Sequence, residues 1–458
     1  MGRLSKAGLK RGVKAIAAVA PPQWRKSPLY WKWRLFLGRA ENWSPAKIRA
    51  WQLKALQGTV RHAFEKTEGY RDLYRKAGVA PRDIRSLDDV RRLPFVTKRM
   101  IQENLEAFSV ARLGRLYVTT GGSTGIPFGF YTTRGELAAE MAFMHSGWSR
   151  HGFRLGDACA VLRGAHIGSE TEPMCYDRYA RELNLSSYFL DARRLPLYLA
   201  GIRERRIRVM QAYPSAFNIF SDLVIDAGLA GEVALDLVLL GSENTYDWQL
   251  AKFKKAFPAT RFCSWYGQAE RVILAPWCRS ERKYHVWPFY GLTEVLGPGD
   301  AEVPEGGEGE LVGTGFHTGV TPLIRYRTMD IAVKGAARCA ACGRQFQLLD
   351  RIEGRAHEFI VTRTGRHISM TAINMHDRIF DGLSEFQFVQ ERAGAVVFRF
   401  VPKREIAAAA IDAIRRGLMR KLGSDVDLTM TAVAEIGRTP SGKRRFLDQR
   451  LPVKYGDI

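Results

Sequence analysis

The stretch YVTTGGSTGIPFGFYTT, residues 117–133, decides how the rest of the chain is read. A β-branched run ends at Thr119, and the loop that follows sets Gly121, Gly122 and Gly125 among Thr120, Ser123 and Thr124. Glycines let backbone amides converge on an anion, and small hydroxyls add donors without bulk, so the loop suits a phosphate. Its spacing is neither GxxxxGK[ST] nor GxGxxG, which excludes the Walker and Rossmann readings. Alone, the same composition also describes an ordinary turn.

Working outward, short β-branched runs from residue 115 onward (RLYVTT, DACAVL, RIRVMQAY, LDLVLLG, ATRFCSWYG) alternate with helical stretches. That alternation predicts a largely parallel α/β sheet over 115–270. Upstream, residues 41–110 read as helical, with an amphipathic pattern through AKIRAWQLKALQGTVRHAFEKT that stops before Gly69. After YHVWPFYGLTEVL the strands crowd together, with turn signals at Pro304 to Gly309, predicting a β-rich subdomain over about 275–352. The strands EFIVTRTGRHIS and AVVFRFV and a helix from about Ile406 to Lys421 predict a small α+β domain. The expected fold is thus α/β: a basic arm (1–40), a large multi-layer α/β domain (41–352) and a small mobile α+β domain (353–458).

The 458 residues are 46% apolar and 26% charged, the make-up of a packed globular protein, which excludes wholesale disorder and fibrous repeats. Lys and Arg exceed Asp and Glu by 70 to 47, and residues 1–40 hold ten of the cations and no acid. Leu9, Val13, Ile16 and Ala20 recur at helical spacing, so residues 4–20 fit a basic amphipathic helix in peripheral contact with an anionic membrane; the alternative is an arm packed on its own domain. No stretch approaches the length of a spanning helix, and the apolar run Ala15 to Ala20 is too short for a secretory leader. The expected location is cytoplasmic, with the inner face of the membrane as a peripheral site. Nucleic acid is not an expected partner, because no zinc-finger or RNP-type motif accompanies the charge.

Six cysteines do not make a disulfide scaffold. Cys339 and Cys342 form a CxxC in RCAACGRQF, and Cys278 and His285 stand about sixty residues earlier in PWCRSERKYHVW. Three sulfurs and an imidazole are a usual structural Zn²⁺ set, closed to substrate; the alternative is loop thiols and a surface histidine. Cys159, Cys175 and Cys263 lie among apolar neighbours and read as core residues.

Five segments then fall in a telling order: TTGGSTGIP (119–127), WYGQAE (265–270), YRTMD (326–330), IEGRAHEFI (352–360) and GRTPSGKRR (437–445). They resemble the signatures of the adenylate-forming enzymes. YPSAF (213–217), GSEN (241–244), LPFVTK (93–98) and the Cys/His set make the chain most similar to the phenylacetate-CoA ligase and CapK-like branch. The resemblance implies an ATP- and Mg²⁺-dependent, AMP-forming ligase that adenylates a carboxylic acid and passes it to CoA or to a sugar hydroxyl or amine. CapK-like proteins are associated with capsular polysaccharide synthesis, which gives the sugar acceptor its place.

By the same resemblance, Thr119 to Gly125 hold the phosphates and Glu270 binds Mg²⁺. Tyr266 and Gly267 lie by the nucleotide, Asp330 holds the ribose with Arg355 in support, and Lys443 bridges carboxylate and α-phosphate. The acyl pocket is expected near Tyr213, Ser215, Gly241, Ser242 and Glu243 and the run Phe262 to Tyr266; its aromatic content suits an aryl or other apolar acid. The chain departs from the family pattern at Ile126, where lysine is frequent, and at Ala269, Met329, His357 and Glu358. Those departures define the rival reading, an inactive adenylating fold serving as a membrane- or glycan-associated binding protein. Retention of Glu270, Asp330 and Lys443 favours the enzyme.

Overall fold

The computed structural model describes residues 21–119, 128–163, 171–187, 189–355, 359–365, 367–369, 373, 382–438 and 445–451. The expectations for residues 1–20, Thr120, Gly121, Gly122, Ser123, Thr124, Gly125, Ile126, His357, Glu358 and Lys443, and for the side chain of Arg355, lie outside the described residues.

The chain enters through a 3-10 turn over Pro22–Arg25 and a helix α1, Pro28–Ala40. Ser27 caps α1 by accepting from the Tyr30 amide, and Pro28 takes the first-turn position where a missing N–H costs nothing. The same Ser-Pro start opens α2, Pro45–Lys66; α3, Glu68–Lys76, and α4, Lys98–Glu103, follow. The run RLYVTT does not join the parallel sheet: β1, Leu116–Thr119, pairs antiparallel with β2, Gly129–Thr132, as a separate two-stranded ribbon. A β-branched run specifies an extended strand but not its partner, and here the nearest partner is the segment just downstream. Helix α5, Arg134–Ser149, begins with a Thr133/Glu136 capping box and lies against α1, where Tyr30 Oη sits 2.9 Å from His145 Nδ1.

The main sheet has seven strands: β3, Cys159–Leu162; β4, Met174–Asp177; β5, Glu182–Leu185; β6, Val209–Ala212; β7, Leu237–Leu240; β8, Arg261–Gly267; and β9, Leu274–Pro276. Their spatial order is β4-β5-β3-β6-β7-β8-β9, parallel from β5 to β8 with an antiparallel strand at each edge. Helices α6, Leu195–Glu204, α7, Pro214–Asp226, and α8, Asp247–Ala256, occupy the connections after β5, β6 and β7. Every residue of β6 and β7 is buried, as strands covered on both faces require. Cys159 and Cys263 are buried in this core, but Cys175 is exposed: it lies on the edge strand β4, where one flank has no neighbour to cover it.

A five-stranded antiparallel sheet follows, ordered β10-β14-β13-β12-β11. Its strands are β10, Tyr284–His285; β11, Gly291–Leu296; β12, Glu308–Gly315; β13, Tyr326–Lys334; and β14, Leu348–Arg355. The C-terminal unit pairs β15, Phe359–Val361, with β16, His367–Ser369. Beside them stands a four-stranded sheet of β17, Leu383–Arg392, β18, Ala395–Pro402, β19, Asp427–Ala432, and β20, Leu447–Gln449. Helix α9, Ala408–Leu422, buries Ile414, Leu418 and Leu422 in that unit's own core. The unit meets the large domain through Phe446 and Phe386, each 5.8 Å from the Trp248 ring, and through Lys403 with Asp222 and Asp226. No helix among the described residues is long and apolar enough to cross a membrane.

Candidate active site

In an open parallel sheet, ligands collect beyond the carboxyl ends of the strands, where neighbouring connections leave in opposite directions. Here that point lies between β3 and β6, since the chain runs from β3 out to β5 on one side and from β6 out to β7 on the other. Arg163 follows β3, Tyr213 follows β6, Gly241 and Ser242 follow β7, and Tyr266 and Gly267 end β8.

The WYGQAE and YRTMD segments are clipped together by two reciprocal tyrosine–carboxylate bonds. Tyr266 donates its hydroxyl to Asp330 Oδ2 at 2.7 Å, and Tyr326 donates to Glu270 Oε1 at 3.2 Å. Asp330 is buried, and its register partner across β13 and β14 is Arg355. LPFVTK holds this strand from the far side: the Val96 amide donates to Arg325 O at 3.1 Å, and the Arg327 amide donates to Val96 O at 3.0 Å. Met329 has a positive φ of 63°, the left-handed region that favours glycine, while its amide donates to Glu310 Oε1 at 3.1 Å. The backbone before Asp330 therefore keeps a glycine-like turn although the residue is methionine.

Beside these segments opens a cleft of about 670 Å³. Ser242, Gly267, Gln268 and Ala269 line one end, next to the Tyr266–Asp330 pair. Met144, Trp148, Phe153, Trp265 and Leu274 form apolar walls, while Arg163 and Gln211 give the floor polar character. Trp265 can lie there because residue 241 has no side chain: a Cβ on Gly241 would come within 2.3 Å of the indole. His145 also lines the cleft, and burial with Lys26 and Arg34 nearby pushes its pKa down to about 3, so the imidazole is neutral.

Of the residues expected to wall an acyl pocket, Ser242 and Trp265 line this cleft. Tyr213, Ser215 and Glu243 are not among its lining residues. Glu243 instead accepts from the Ser215 amide at 2.8 Å and the Ser215 hydroxyl at 3.0 Å, at the first turn of α7. The sequence reading missed Arg163, Gln211 and Lys26. The findable signal was an arginine immediately after DACAVL, at the carboxyl end of a parallel strand.

Cys278, His285, Cys339 and Cys342 converge as expected, with one potential ligand atom from each lying within 4.8 Å of the others. Cys278 Sγ is 3.7 Å from Cys339 Sγ, and Cys342 Sγ is 3.6 Å from His285 Nε2. A tetrahedral zinc with bonds of about 2.3 Å to sulfur and about 2.0 Å to nitrogen would set such pairs roughly 3.8 and 3.5 Å apart, so the donor set fits zinc. The cluster joins the segment before β10 to the loop between β13 and β14, away from the cleft.

Residues 360–449 match the family model of the CapK C-terminal domain. The chain is 26% identical to a phenylacetate-coenzyme A ligase of Thermus thermophilus over 442 residues, covering 88% of this chain and 97% of the relative. It is 22% identical to protein CapK of Staphylococcus aureus, covering 83% and 85%. A 2-hydroxyisobutyryl-CoA ligase, solved in the postadenylation state with R3-HIB-AMP, superposes with a TM-score of 0.73 at 20% identity, covering 90% of this chain and 92% of that one. The matching fold, the CapK-type C-terminal domain and relatives spanning most of its length make this chain similar to the phenylacetate-CoA ligase and CapK-like branch of the adenylate-forming enzymes.

Proposed function

We propose that the protein is an AMP-forming acid ligase that activates a carboxylic acid with ATP and passes the acyl group to CoA. The observation that carries this reading is the double clip of Tyr266 to Asp330 and Tyr326 to Glu270 beside an amphipathic cleft. In the first half-reaction a carboxylate oxygen of the acid attacks the α-phosphorus of ATP. The bond to the bridging oxygen breaks, and pyrophosphate leaves. In the second, the CoA thiol adds to the acyl carbonyl, loses its proton, and AMP leaves.

Neither step needs covalent help from protein, so the side chains work by alignment and charge. The loop from Thr119 to Gly125 would cradle the phosphates, Asp330 would accept from the ribose hydroxyls, and Tyr266 would fix that carboxylate. Lys443, on the 353–458 lid, would lie between acid and α-phosphate, and Arg355 would support the ribose. Glu270 suits Mg²⁺, an ion that keeps several waters and takes the rest of its shell from substrate phosphates; bound there, it would neutralise the departing pyrophosphate. The Cys/His cluster would hold a structural zinc. Transfer to a sugar hydroxyl or amine is the second reading, which rests only on the resemblance to CapK-like proteins. The protein would act in the cytoplasm, and the cationic composition of residues 1–20 would suit peripheral contact with an anionic membrane.

The test is AMP and pyrophosphate formation from ATP across aryl, aliphatic and dicarboxylic acids, with hydroxylamine trapping the adenylate. Acid-dependent release with hydroxamate formation is expected. Bound ATP without turnover on any acid would favour the inactive binding protein instead.

A further inference from the structure

We propose that the acid taken by the cleft carries a second carboxylate at its far end, received by Arg163; this rests on the adenylation reading for the near end. Three observations carry it.

The cleft has a direction. Ser242, Gly267 and Ala269 mark the end beside the adenylation residues, and Pro22, Arg25, Lys26 and Arg181 mark the opposite mouth. Along the floor, residues two apart on a strand share a face, so Cys159 and Arg163 look into the same space as Glu182 and Gln211 of the neighbouring strands.

Arg163 is underused. Its guanidinium donates to Gln211 Oε1 at 2.9 Å and lies 5.7 Å from the centre of the Trp265 ring. No carboxylate among the described residues forms an ion pair with it, although the group carries five N–H donors and burial pulls its pKa down. The other acids of the cleft are engaged elsewhere or farther out. Glu140 pairs with Arg271 at 2.6 Å, and Asp157 accepts from the Arg154 amide at 2.7 Å. Glu182 acts on both Arg163 and Lys26 at longer range, toward the mouth. A desolvated guanidinium that lines a cleft, is fixed there by a neutral amide and has donors beyond that one bond is a receptor for an incoming anion.

The mouth is basic by construction. Arg25 donates to the Tyr179 carbonyl and lies 5.1 Å from that ring's centre, and a Cβ on Gly156 would meet Pro22 Cγ at 3.2 Å. The segment is thus packed against the rim, and Lys26, 5.5 Å from the Tyr30 ring centre, faces the route inward. Part of the cationic excess of the first forty residues is spent on steering an acid that stays charged beyond its reacting carboxylate.

The experiment compares kcat/KM for pyrophosphate formation on matched acids, adipate against hexanoate and terephthalate against benzoate and 4-carbamoylbenzoate. The proteins are wild type, Arg163→Met and Arg163→Lys, all full length. Thermal midpoints with each acid, without ATP, are measured in parallel. Wild type is expected to prefer each diacid by at least about tenfold, and Arg163→Met to bring that ratio to about one, with the lysine variant between. Diacids should raise the wild-type midpoint and leave that of Arg163→Met unmoved. Diacid stabilisation without turnover on any acid would sink the adenylation reading and keep the subsite. Equal or better use of monoacids or the amide by wild type, a ratio unchanged in Arg163→Met, or no diacid stabilisation in wild type would overturn the proposal.

Discussion

Met329 holds a left-handed backbone conformation ahead of Asp330, a geometry that costs a non-glycine residue about 1–2 kcal/mol. Met329→Gly should therefore raise unfolding free energy by up to about 1 kcal/mol, less whatever the added freedom of the unfolded chain takes back, while Met329→Ala should give no gain. Chemical denaturation of the three proteins checks it. Gly241 presents the opposite case, since its missing side chain is what admits the Trp265 indole. Gly241→Ala should displace that ring and lower kcat/KM for the acid by at least about tenfold, with the KM for ATP little changed. Both residues were legible as motif positions, because GSEN and YRTMD are contiguous in sequence. Arg163 was findable from its place just after DACAVL, but its pairing with Gln211 was not, because the two meet only when β3 and β6 lie side by side, and nothing local in either strand announces its neighbour.

Among the elements, the first helix is fastened to the loop that carries the CxxC. Glu41, just past the end of α1, accepts from Arg150 Nε at 2.7 Å and from Arg344 Nε at 2.7 Å. Burial pushes the Glu41 carboxyl up, but Arg150 and Arg344 outweigh it and hold the group below its usual range. A lowered folded value means the stabilisation is complete above the unfolded value of about 4.3 and is lost as pH falls through the folded one. Glu41→Gln should cost about 1–2 kcal/mol at pH 7, less than a fully buried pair, and the deficit should shrink below pH 4 in denaturant titrations. A zinc ion held by Cys278, His285, Cys339 and Cys342 would act on the same region. Elemental analysis should find about one equivalent, and Cys342→Ser or chelation should lower the thermal midpoint; metal-free protein with an unmoved midpoint would remove the site. The Cys3His set could be gathered from sequence because ligand chemistry restricts the choices, whereas the RLYVTT strand was assigned to the wrong sheet because a β-branched run has no such restriction.

For the molecule as a whole, buried histidines in the large domain set an acid limit, His145 and His151 among them. His145 is pushed down to about 3 by burial and by Lys26 and Arg34, and His151 is lowered chiefly by burial. In both, the unfolded chain binds the proton first, so stability is full above about pH 6.5 and falls as pH drops below it, by up to about 1.4 kcal/mol per unit for each group. Unfolding midpoints measured from pH 7 to pH 5 should decline, and His145→Gln should flatten the slope. The antiparallel β-rich sheet was legible from the switch between alternating and crowded strands, and the small C-terminal α+β unit from EFIVTRTGRHIS, AVVFRFV and the helix after them. The docking of the small domain on Trp248 was not, since an aromatic on a helix reads the same whether a second domain covers it or not. The central claim is that these domains together make an acyl-adenylate, and the most direct measurement is ATP–pyrophosphate exchange with and without acid, in wild type and Lys443→Ala. Acid-dependent exchange that falls by about a hundredfold or more in the variant, with ATP still bound, is the predicted result. Exchange that is absent with every acid, or that persists unchanged without Lys443, would contradict it.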